Sequence, residues 1–136
     1  MKKALLLALS LFTFVAVAPQ QAQAQGHSHF IKIPETVEGI WTEIGNQQTK
    51  LSAVVAAKNL GEAHDHGYAI RDLVKALPAK VAADKRAKAD EGAAAIIKLA
   101  SALDKAAAAK SQKATEASAK ELETSVASLK TALEAK

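Results

Sequence analysis

The sequence predicts an all-α protein: an up-down-up-down antiparallel four-helix bundle that follows a cleaved signal peptide. Three observations predict it. From Pro34 onward apolar residues recur at spacings of three and four, the period of one helix face. No stretch sustains the period-two alternation of a half-buried strand. The breaks between periodic stretches are only a few residues long, which obliges neighbouring helices to run antiparallel.

The first residues are expected to direct export. Met1-Lys2-Lys3 is a short basic start, and residues 4–18 (ALLLALSLFTFVAVA) form an uncharged, almost wholly apolar run. At about fifteen residues this run is short for a bilayer span. The polar Pro19-Gln20-Gln21 and the small-x-small Ala22-Gln23-Ala24 follow, completing the three parts of a secretory signal. Cleavage is expected after Ala24, because cleavage after the similar Ala16-Val17-Ala18 would place Pro19 beside the scissile bond. The competing reading is an uncleaved membrane anchor. The expected destination is the periplasm or the exterior of a bacterium, with no stable membrane insertion once the signal is removed.

The mature chain would span residues 25–136, enough for one small core. Removing Lys2 and Lys3 from 18 basic residues leaves 16 against 14 acidic ones. These charges are interspersed, whereas nucleic-acid binding calls for a concentrated basic face. There is no Cys, which removes disulfides, thiolate catalysis, Cys-based zinc sites and c-type haem attachment. Residues 25–33 read as a flexible, His-containing leader, and residues 34–136 as the bundle.

Pro34 stands where a helix tolerates proline, in its first turn. The first segment, about residues 34–59, carries the stripe Val37, Ile40, Trp41, Ile44, Leu51, Val54 and Val55, with Gln48 in one slot. Asn59-Leu60-Gly61 supplies its stop. The second, about 62–77, carries Ala63, His66, Ile70, Leu73, Val74 and Leu77, and Pro78 ends it. The third, about 82–110, carries Ala89, Ala93, Ile96, Ala100, Leu103 and Ala107. The fourth, about 113–135, carries Ala119, Leu122, Val126, Leu129 and Leu133. Alanine is 26 of the residues from 25 to 136. It favours helix but fills little volume, so the third helix should give thin core layers and close helix approach. The charged stretch at residues 80–91 reads as a solvated helix start.

Four histidines, His27, His29, His64 and His66, form two short clusters. Without Cys, and with no Met beyond Met1, they are the natural ligands for a borderline metal ion. Cleavage after Ala24 would expose Gln25-Gly26-His27 as the N-terminus. A third-position His lets the amine, two backbone amides and the imidazole close a square of four nitrogens, which suits Cu(II) or Ni(II). Gly26 leaves that backbone uncrowded, and His29 would supply an outer ligand. Cyclisation of Gln25 would remove the amine and the site.

In the second cluster, His64 and His66 are two apart and face different ways on a helix. Glu62 and His66 are four apart and share a face, so they make half a metal site. The plainer reading is a partly buried core His66 bonded to Glu62 or a carbonyl, with His64 at the surface. Trp41 reads as a core anchor, and Arg71-Asp72 as an ion pair.

The second segment lacks the paired Glu-x-x-His of di-iron bundles, and the other three hold no His or Met for haem. No phosphate loop, nucleophile elbow or H-E-x-x-H motif occurs. Neither enzymatic activity nor haem is expected.

Ile40-Trp41-x-x-Ile44, His64, Ala69-Ile70-Arg71-Asp72-Leu73 and Leu77-Pro78 together resemble a family of small, poorly characterised exported helical proteins of bacteria. The likeness continues thinly through Asp84-Lys85 and residues 97–103. Some members are associated with metal resistance or efflux, which implies metal handling here without assigning any binding residue. The leading expectation is therefore a periplasmic metal-binding or metal-buffering protein with a metal ion as its partner. The alternatives are a metal-free interaction module, meeting an envelope protein or a second copy through the Ala-rich faces, and a small-molecule binder using Trp41 and Tyr68.

Overall fold

The computed structural model describes residues 31–135. The signal peptide and the Gln25, Gly26, His27 and His29 leader site lie outside the described residues. Within them the chain is all-α, with helices α1 (Val37–Ala56), α2 (Leu60–Ala76), α3 (Arg86–Ala108) and α4 (Gln112–Glu134), and a short 3-10 turn at Ala83–Lys85 before α3. Among the described residues there is no strand, and no helix is long and apolar enough to cross a membrane.

Several of these boundaries have a local cause. Thr36 caps α1: its extended backbone lets Oγ1 accept from Gly39 N at 3.0 Å. Ser111 does the same for α4, accepting from Ala114 N at 3.4 Å. The ends of α1 and α3 share one device. Lys58 and Lys110 take positive φ, 60° and 54°. Asn59 N then donates back to Val54 O and Lys58 N to Val55 O; Ser111 N donates to Ala106 O and Lys110 N to Ala107 O. Both are Schellman closures, which satisfy carbonyls the helix leaves over. The first helix therefore stops at Ala56, earlier than Asn59-Leu60-Gly61 suggested, and Gly61 lies inside α2. Pro78 ends α2 as expected, and Lys80 N and Val81 N turn back onto Leu77 O.

One continuous core joins the four helices. Ile40, Ile44, Ile70, Leu73, Leu77, Ile96, Leu103 and Leu122 are its largest fully buried apolar side chains. The α3 stripe is buried at all six predicted positions, Ala89 through Ala107. In α1 the polar residue on the stripe is Gln47, buried at 8 % exposure, while Gln48 is only half-buried. The spacing from Ile44 is three, not four, because the stripe alternates four and three to stay on one face. In α4 the core also takes Thr115, fully buried, whose Oγ1 donates to Ser111 O at 2.8 Å. Ile31 and Ile33 pack half-buried against this core.

Contacts are dense between α1 and α2, α2 and α3, and α3 and α4, and sparse between α1 and α4. Glycines bring two of these pairs close together, α3 with α4 and α2 with α3. A Cβ on Gly92 of α3 would stand 2.4 Å from Leu129 Cδ1, and one on Gly67 of α2 would stand 2.8 Å from Leu103 Cδ2. Leucines of the neighbouring helix thus occupy the space these two glycines vacate, and the backbones approach closely. The α1–α4 seam lacks such a seat. It is tied at one end, where Gln112 Nε2 donates to Val55 O at 2.8 Å, while Lys80 Nζ bridges from the turn after α2 to Glu35 O, ahead of α1. Lys85 Nζ donates to the Leu133 and Ala135 carbonyls at the end of α4.

Candidate functional site

The helix-two histidines lie in the first two turns of α2, which is regular through Gly61 and Gly67. Glu62 occupies the first turn, where an acidic side chain complements the exposed N–H groups. Regular helix separates the rings. His66 reaches across to α1, where its Nδ1 lies 2.8 Å from Gln47 Oε1. His64 stays on its own helix: its Nε2 is 2.5 Å from Asp65 Oδ1, and its ring meets Tyr68 edge-on with centroids 6.1 Å apart.

The His66 contact belongs to a relay. Gln47 Nε2 donates to Glu43 Oε1 at 2.8 Å, and Asn46 Nδ2 donates to Glu43 Oε2 at 3.0 Å. An ionised carboxylate only accepts, so the amide nitrogen of Gln47 must face Glu43 and its oxygen must face His66. His66 therefore donates from Nδ1, and in the neutral ring Nε2 carries the lone pair. The hydrogen bonds from Gln47 and then Asn46, with Lys50 nearby, hold Glu43 below its ordinary carboxyl value against the opposing effect of partial burial. Sequence reasoning missed Glu43 and Gln47. Their signal was the four-three spacing of the first stripe, which brings residue 47 opposite His66.

A second polar group lies where α2 faces α3. The Arg71 guanidinium sits 4.4 Å from the centre of the Tyr68 ring, and its Nε donates to Asp72 Oδ1 at 2.9 Å. A hydrogen bond to Asp104 of α3, then burial, pushes the Tyr68 phenol above its ordinary pKa. The ion pair read from the sequence is present, with the guanidinium also stacked on the aromatic face.

Two openings mark the α1–α4 seam. One, of about 380 Å³, lies between Leu51 and Val55 of α1 and Ala119 and Leu122 of α4. The other, of about 700 Å³, lies beside Trp41. Trp41 is half-buried and packs against the core while one side of it borders this cavity. Lys80, Lys85 and Lys130 reach the same cavity from three separate segments. Tyr68 is not among its lining residues, so the pairing of Trp41 with Tyr68 around one pocket is corrected: Tyr68 is engaged with Asp104 of α3. The lysine convergence was not legible in the sequence, because it joins residues about fifty positions apart.

Among the described residues no group of three or more His, Cys, Asp and Glu side chains stands together as a metal cage. Comparison with protein-family models, with curated proteins and with solved structures gives no match to this chain.

Proposed function

We propose that the chain is an exported, non-enzymatic metal-handling protein, folded as an up-down-up-down antiparallel four-helix bundle, that captures Cu(II) or Ni(II) at a mature Gln25-Gly26-His27 terminus. The observation that carries the reading is the distribution of histidine. All four lie in two short clusters of a chain without Cys, and His27 stands third after the expected cleavage point. Spacing is decisive, since only a third-position imidazole closes the chelate rings around a square-planar ion. His29, two residues further on, would supply an outer ligand. The Glu43–Gln47–His66 relay between α1 and α2 adds support, because metal-binding histidines characteristically donate their second nitrogen to an oxygen partner that fixes the ring. Glu62 with His66, and His64 apart from them, are weaker candidate donors that would need ligands from elsewhere. The work would be capture and hand-over in the periplasm, consistent with the resemblance to exported proteins associated with metal resistance.

Cu(II) titration of the processed chain, with its N-terminal mass confirmed, tests this reading. One equivalent should bind with the visible band of four-nitrogen square-planar copper, and His27→Ala or an N-terminal extension should abolish it. Binding that survives both changes but needs His66 would relocate the site to α2. Absence of any binding to an uncyclised Gln25 terminus would end the metal reading.

A second reading, a small-molecule binder, is favoured by one observation: the cavity of about 700 Å³ beside Trp41. Its size falls within the range of small-molecule sites.

A further inference from the structure

We propose that the Trp41 cavity takes a free, single-chain amphiphile bearing one carboxylate, with its apolar body against Trp41 and its charged end toward the lysines. The inference rests on the small-molecule reading and gives it a ligand class.

The floor of the cavity is apolar. Val37 and Trp41 come from α1, Val81 from the segment before α3, and Leu133 from the end of α4. Val81 and Leu133 are buried, so the floor is a continuation of the core. Trp41 offers a large flat surface, which favours an alkyl chain or ring laid against it.

The rim is positive and fixed at two of its three ammoniums. Lys80, Lys85 and Lys130 stand against Glu38 and Glu134, an excess of one positive charge. Two of these ammoniums are held by carbonyl oxygens: Lys80 Nζ by Glu35 O at 3.1 Å, and Lys85 Nζ by Leu133 O and Ala135 O. A carbonyl orients an ammonium without neutralising it, and each ammonium has three donors to share. The pairing of Lys130 with Glu134 is long, 3.9 Å, and exposed. A ligand with one negative charge balances the rim, a neutral one forgoes the attraction, and a cationic one is repelled. The chemistry therefore selects a monoanion with an apolar body.

Trp41 is the only tryptophan of the chain, so its emission reports on the cavity. The full chain is titrated with dodecanoate, dodecanol and dodecyltrimethylammonium, each below its micelle-forming concentration. Dodecanoate should give a saturable, one-to-one change in emission and bind roughly tenfold more tightly than dodecanol, as expected of a few partly exposed charge contacts. The ammonium amphiphile should bind most weakly. The pair of substitutions Lys80→Gln and Lys130→Gln should remove the advantage of dodecanoate and leave dodecanol unchanged, in a protein whose helical melting curve shows it folded. Equal binding of all three probes, or an advantage that survives both substitutions, would overturn the anion preference while leaving a small-molecule site. No saturable change with any probe would overturn the site itself.

Discussion

The single tyrosine gives the sharpest test at the scale of one residue. Tyr68 is held neutral by its hydrogen bond to Asp104 and by burial, against the opposing charge of Arg71. Because the folded-state pKa is raised, this contribution to stability is complete below the ordinary tyrosine pKa and is lost as pH rises through the raised one. Asp104→Asn should bring the titration of Tyr68 down toward its ordinary value. Ultraviolet absorbance follows it without ambiguity, since the chain has no other Tyr. An unchanged titration midpoint would mean that Asp104 does not set it. The sign is opposite at Glu43, whose lowered pKa gives a contribution present above the ordinary carboxyl value and lost as pH falls through the depressed one.

At the scale of the element, the helix ends carry the informative cost. Lys58 and Lys110 occupy left-handed backbone positions that glycine fills without strain. A left-handed non-glycine residue costs roughly 1–2 kcal/mol, while glycine costs part of that back in the unfolded chain. Lys110→Gly is therefore expected to stabilise the protein by about 0.5–1 kcal/mol, visible as a higher Tm in a thermal melt followed by circular dichroism. A lower Tm would show that the lysine side chain contributes more than the backbone loses. The same ends explain why the stop of the first helix was misplaced. Glycine is the residue a sequence reader looks for at a helix end, and this chain places Gly61 inside α2 while lysines make both Schellman turns.

At the scale of the whole molecule, packing is uneven. The α3 helix is covered by both α2 and α4 and seats Leu129 at Gly92, whereas α1 leans mainly on α2 and leaves an open seam toward α4. Local opening follows buried contact. Native-state hydrogen exchange should accordingly find the slowest amides in the centre of α3, around Ile96 to Leu103, and faster exchange in α1. Slowest exchange in α1 would contradict this ranking.

The sequence by itself determined the all-α class, the four helical segments and nearly all of the apolar core, because a helix face is written in spacings of three and four that need no partner to be read. It also singled out His64, His66 and Glu62, while the structure supplied the regular helix through Gly61 and Gly67 that keeps the two rings apart. The tertiary structure alone decided which side chains meet across helices: Gln47 with His66, Tyr68 with Asp104, and Lys80, Lys85 and Lys130 around Trp41. Those meetings depend on the rotation and approach of whole helices. Part of that approach is set where Gly67 admits Leu103 and Gly92 admits Leu129, and no local period in the chain records those meetings.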